Sequence, residues 1–564
     1  MTGRATSFEV QVLQEKRWVL TEVVEDEATA IQFADSLLNK SSYEAVRVVR
    51  DFKRIDGLHS ETVVHEKASS GQKIDISLTP VAEAPVCTEL GDLYGLSSRM
   101  VMGRLFRRYL DEAVITPTEL LHNARELKRL GDKDRLLMSA VDSIATLQAP
   151  GGGEEAKARR EFLYKSWDQL FARARQAAPE KPPKEKTLKE LSAAAAKAGG
   201  DKDFRCLVLM SARLLDQRAW LAKLDTVLGW VAEEDAPPWM EALDGLIADL
   251  LMPAQAIQDL LGFQQNLGAA LCHICDLAEG TAQAAKFASD AFTAVNQLFS
   301  AGRLPQARGA LVSRVTRELR STNPLSRNEP EQEYETFVHI LNRLVSHQGV
   351  LGGPAMADSM TQRYVRFHNM GGIPGMVNAV DEITGILGDG CRTVLYLTAL
   401  VELPRATASF GPDLLRRLGE LARGREHINA WVPLRLPPRD RMAALTQCHQ
   451  AICGSAALPD RLKADLAGRA DAVLASYLED DQVIEKIDKP EDPLAFRALR
   501  LVKFCASGVL IAGKSLDMAH QRVLGHLRQP QFEEKFLASI PDASQAERHL
   551  REFHRLLMES GFKG

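Results

Sequence analysis

The chain has 564 residues, 45% of them hydrophobic, 26% charged and 6% aromatic, with a formal net charge of −5. That length leaves room for about two to four domains with sizeable cores, while a charge this near balance gives no global attraction to nucleic acid or to an anionic membrane. Eight cysteines scattered from Cys87 to Cys505 exclude a dense disulfide framework, the opening MTGRATSFEVQV lacks the apolar stretch of a signal peptide, and runs such as VLYLTALV (394–401) are too short to span a bilayer; the expected setting is cytoplasmic and reducing.

The first seventy or so residues differ from the rest. FEVQVLQ (8–14) alternates Phe8, Val10 and Val12 with Glu9 and Gln11, the period of a half-buried strand. RWVLTEVV (17–24) follows across a short polar turn. Asp26 is placed to cap a helix whose apolar face carries Ala30, Ile31, Ala34, Leu37 and Leu38. AVRVVRDF (45–52) and ETVVHE (61–66) read as two more strands around an Asp56-Gly57 hairpin turn. The expected fold is therefore α+β and multidomain. A small ββαββ domain (1–70) and a linker (71–87) precede a large all-α body. That body comprises a helical segment (88–176), a Lys/Pro/Ala-rich linker with a short helix (177–203) and a helical-repeat array (204–564).

The repeat rests on spacing. Helix-breaking pairs stand at Leu304-Pro305, Gly353-Pro354, Leu403-Pro404 and Leu458-Pro459, so the prolines recur at intervals of 49, 50 and 55 residues. Proline suits the first turn of a helix, where no partner is needed for the missing N–H. Units of helix, turn and proline-led helix predict an irregular α-solenoid, with a compact bundle as the alternative.

Near the end, SGVLIAGKS (507–515) fits the phosphate-loop formula from Gly508 to Ser515. Its context argues against nucleotide binding. DPLAFRALRLVKFCA (492–506) has helical rather than strand periodicity, and Val509, Leu510, Ile511 and Ala512 are too apolar for an open anion nest. The expectation is one helix running through FRALRLVKFCASGVLI, a turn at Ala512-Gly513-Lys514, and a second helix. Cys272 and Cys275 in CHIC have zinc-like spacing, but CHQAIC (448–453) is a loose and distant second pair, so no metal site is expected. SSRMVMGRLFRRYLDE reads as one helix with an apolar face at Met102, Leu105, Phe106 and Tyr109 and a basic face of Arg99, Arg104, Arg107 and Arg108.

No catalytic motif survives its context, so neither catalytic residues nor a cofactor are assigned. The first reading is a non-enzymatic protein-interaction scaffold or adaptor that binds another protein, with no nucleic acid and no membrane insertion. Trp18, Arg47 and Arg50 on the small sheet and Arg104, Arg107 and Arg108 on the basic helix are the candidate contacts. One alternative is a ligand-responsive regulator with the N-terminal domain as sensor. The other is an enzyme with dispersed residues in the helical body.

Overall fold

A computed structural model describes residues 6–14, 17–40, 45–53, 59–68, 78–133, 135–180, 183–284, 289–326, 330–369 and 371–562. The chain divides into two compact units, residues 1–80 with 130–143, and residues 81–129 with 144–564.

The first unit contains the ββαββ element order read from the sequence: β1 (Thr6–Gln14), β2 (Arg17–Val24), α1 (Glu27–Lys40), β3 (Ala45–Lys53) and β4 (His59–Ala68). The strands form one antiparallel sheet in the order β2-β1-β3-β4. Alternation along β1 sends Phe8, Val10 and Val12 to the face that α1 covers, where they meet Val46, Val48, Ala30 and Ala34. Asp26 caps α1 as expected, accepting from the Thr29 N–H at 2.8 Å and the Thr29 hydroxyl at 2.7 Å. β4 runs two residues beyond the reading at each end. The Asp56-Gly57 turn lies outside the described residues.

The second unit is helical almost throughout. Its prolines do what their spacing predicts at three positions, since α3 (Pro305–Arg320), α5 (Gly353–Phe367) and α8 (Pro404–Gly424) start on or beside them. The fourth, Pro459, stands one place outside α10 (Asp460–Asp480). Between and around these lie α2 (Leu267–Ala278), α4 (Pro330–Leu344), α6 (Gly372–Leu387), α7 (Gly390–Val401), α9 (Pro438–Gly454), α11 (Leu494–Ala506) and α12 (Lys514–Leu527). They pack in alternation. α2 touches α3, α3 touches α5, α5 touches α7 and α7 touches α9; likewise α4 touches α6, α6 touches α8, α8 touches α10 and α10 touches α12. One continuous apolar core links buried residues from Leu188 to Leu556. Among the described residues no helix is long and apolar enough to cross a membrane.

Two expected helices are corrected. α11 ends at Ala506 instead of running through Ile511, because Gly508 takes a left-handed φ of 72° that stops it. Val509, Leu510 and Ile511 are buried as a connection. The basic helix breaks at Phe106 into Leu96–Leu105 and Arg107–Ala113.

Candidate functional site

The phosphate-loop formula is closed from within. Asp471, on α10, points its carboxylate at the start of α12: Oδ2 accepts from the Lys514 N–H at 2.6 Å, and Oδ1 accepts from the Ser515 N–H at 3.0 Å and its hydroxyl at 2.8 Å. These are the groups that would wrap a phosphate in a nucleotide site. Gly513 is needed for the approach, since a Cβ there would lie 2.3 Å from Asp471 Oδ2. A bound phosphate would have to displace a carboxylate of its own sign. Titration with MgATP or MgGTP is therefore expected to give no saturable heat in either the wild type or Lys514→Ala. Saturable binding by the wild type that Lys514→Ala abolishes would contradict the closed site.

The same device recurs through the body. Asp244 accepts from the Gln306 and Ala307 N–H groups at the start of α3, at 2.7 and 2.9 Å. Glu233 accepts from Leu188 and Lys189 N–H at the start of Leu188–Lys197. Asp249 accepts from the Thr118 N–H and hydroxyl and pairs with Arg99 at 2.6 Å. Arg99 thus leaves the basic face assigned to it from sequence. It is only 6% exposed and also donates to the carbonyls of Tyr94 and Gly245.

Three of the four paired cysteines are core residues. Cys272 and Cys275 lie buried on α2, where burial pushes their thiols up to about 11 and about 12. His273 between them turns to the Gln264 side chain and to Phe292. Cys448 is buried on α9, while Cys453 is exposed beside His449. Among the described residues no group of three or more histidine, cysteine, aspartate or glutamate side chains is arranged to hold a metal.

Of the candidate contacts, the structure joins Trp18 and Arg47. The Arg47 guanidinium lies 4.4 Å from the Trp18 ring centroid and donates to Gln11 at 2.8 Å. The strand register puts both on the face away from α1, together with exposed Leu20, Val23 and Val63. Arg50 pairs with Phe8 and so belongs to the opposite face. Arg104 turns back to the Met100 carbonyl at 3.2 Å, and Arg107 pairs forward with Asp111, while Arg108 is exposed. Arg104 and Arg107 come within electrostatic reach of Arg314 and Arg317 on α3, a convergence of distant segments with no local sequence signal; burial is the main cause that lowers the Arg104 and Arg314 pKa values, and Arg317 adds to both.

A groove runs between α8 and α10, with a volume of about 730 Å³. Leu415 and Leu462 supply apolar walls, and Arg423, Arg461 and Arg469 supply charge against one acidic side chain, Asp465. Arg469 is braced by its Nε–H, which donates to the Ala422 carbonyl at 2.9 Å. Small residues keep the groove open: a Cβ built on Gly468 meets no atom within 4 Å.

No family model, curated protein or solved structure matches the chain. What the structure defines is a class: a small four-stranded antiparallel sheet with a covering helix, and a large helical body.

Proposed function

We propose that the chain is a non-enzymatic, cytoplasmic protein-interaction scaffold. Its helical body is an irregular α-solenoid, and the groove between α8 and α10 takes an acidic helical segment of a partner protein. The alternating contacts from α2 to α12 support the first part, because the helices pack in two series, α2-α3-α5-α7-α9 and α4-α6-α8-α10-α12. The groove is the observation that carries the second. Helix ridges seat between helices where small residues open a channel, and Leu415 and Leu462 offer the apolar contact such a ridge needs. The excess of guanidinium over carboxylate selects an acidic occupant. Eight free cysteines suit a reducing compartment.

The test is selection of helical peptides from a display library on the purified full-length protein. Enriched sequences are expected to be acidic and amphipathic. Gly468→Leu should abolish their binding while leaving the fold intact, since the position is open and replacing an interior helix glycine stabilises by about 0.5–1 kcal/mol. Arg423→Glu with Arg461→Glu should weaken binding by about tenfold or more. Selected peptides without acidic bias, or indifferent to Gly468→Leu, would remove the groove from the proposal.

A further inference from the structure

His122 matches no motif and plays no part in the groove, yet its surroundings are those of a ligand site. The residue follows the short helix Pro117–Leu121 and is 4% exposed. Its Nδ1 lies 2.8 Å from the Thr118 carbonyl oxygen. A carbonyl only accepts, so Nδ1 carries the proton and Nε2 carries the lone pair. The ring sits against Tyr94 and Phe204, with centroids 5.3 and 4.9 Å away. Burial lowers its pKa to about 4, aided by the nearby guanidiniums of Arg99 and Arg173. At neutral pH the imidazole is uncharged, and Nε2 acts as a hydrogen-bond acceptor. No partner for Nε2 occurs among the described residues.

This imidazole lines a cavity of about 280 Å³. Ile115, Val208 and Leu215 contribute apolar wall; of the charged lining residues, Glu126 pairs with Arg129 and Asp216 pairs with Arg213 outside the lining, which leaves the exposed Arg125 and Arg218 against one further carboxylate, Glu180. One wall is fixed in advance. Val114, between the lining residues Ala113 and Ile115, adopts a left-handed φ of 52° that a β-branched side chain disfavours. Its carbonyl accepts from Lys223 Nζ at 2.6 Å, and Lys223 is paired in turn with Glu119 at 2.5 Å, both side chains fully buried. A buried ion pair therefore clamps a strained turn against the cavity.

We propose that this cavity binds a small anionic molecule that donates a hydrogen bond to His122 Nε2 and sets its carboxylate or phosphate against Arg125 and Arg218. The site is separate from the peptide groove, so either assignment can fail without the other. An apolar middle, a neutral acceptor and exposed guanidiniums select a ligand with an O–H or N–H donor and an anionic group joined by a compact apolar frame. The fixed wall favours recognition by a preformed shape.

The test is calorimetry on the full-length protein with rigid aromatic probes that carry the two groups at opposite ends. 4-Hydroxybenzoate and 4-hydroxyphenyl phosphate distinguish a carboxylate from a phosphate preference. Benzoate lacks the donor and 4-hydroxybenzamide lacks the charge. One of the first two is expected to bind saturably, and its analogue without the donor or without the charge about tenfold more weakly. Arg218→Ala, an exposed change that the fold tolerates, should weaken the charged probe by a similar factor. His122→Phe should remove the preference for 4-hydroxybenzoate over benzoate. Absence of saturable binding by both donor-bearing anions would overturn the proposal, as would equal affinity for benzoate or for the Arg218→Ala variant.

Discussion

Lys223→Met is expected to destabilise the helical body by about 3–5 kcal/mol, the loss typical when one partner of a buried ion pair is removed. The ammonium donates hydrogen bonds to Glu119 Oε1 and to the Val114 carbonyl, and neither side chain of the pair touches solvent. Burial raises the Glu119 pKa and lowers that of Lys223, so each depends on the other to stay charged. Methionine fills a similar volume but leaves a buried carboxylate and a carbonyl without their donor. The companion variant separates charge from packing. In Lys223→Met with Glu119→Gln, the amide oxygen can still accept from the Thr116 N–H that Glu119 Oε2 now holds at 2.8 Å, and no buried charge remains. The double variant should therefore be clearly more stable than Lys223→Met alone, with a coupling of about 1–3 kcal/mol between the sites. Urea unfolding followed by helical circular dichroism measures both. A cost under about 1 kcal/mol for the single variant would show that water reaches the pair in solution.

What could be read in advance depended on whether the relevant interaction is local. The first strand was legible because α1 covers one face only, which forces Phe8, Val10 and Val12 to alternate with polar neighbours. Pro305, Pro354 and Pro404 announced helix starts because the preference belongs to the residue and its first turn. The end of α11 was misread for the opposite reason. Val509, Leu510 and Ile511 continue an apolar pattern, and burial in a connection leaves the same signature as burial on a helix face. Arg99 looked like part of a solvated face because its partner, Asp249, lies on a distant helix. The groove is assembled by α8 and α10, and the cavity at His122 joins residues 113–129 to 178–218, so neither leaves a contiguous motif. Thr116 and Glu119 do carry a capping-box spacing, and the structure shows that box formed. That signal marks the helix before His122 but says nothing of Lys223, which decides what the turn beside it can hold.

Asp471→Ala is expected to cost about 2–4 kcal/mol and to give the start of α12 an affinity for oxyanions that the wild type lacks. The cost follows from the groups left behind. The Ser515 hydroxyl keeps an acceptor in the Ile511 carbonyl at 3.0 Å, but the Lys514 and Ser515 N–H groups lose theirs, and Ser515 is fully buried. Each buried donor without a partner costs about 1–3 kcal/mol, and a carboxylate is also lost from a helix N-terminus. The gain follows from the same groups. Two N–H vectors converge at the end of α12 beside Lys514, where a sulfate or phosphate can replace the missing carboxylate. The thermal midpoint of Asp471→Ala should therefore rise more steeply with sulfate than with chloride at matched ionic strength. Sulfate stabilises most folded proteins by exclusion from their surfaces, so the informative quantity is the excess over the wild type. Asp471→Asn supplies the intermediate case, since its amide oxygen can accept one of the two N–H groups without the charge. A sulfate response equal to that of the wild type, or a cost below about 1 kcal/mol, would mean that the carboxylate does not occupy the anion position in solution. The expected outcome would show that the Gly-Lys-Ser segment retains the anion-binding capacity of a helix start, and that α10 spends it on an internal carboxylate to fix α12 against its neighbour.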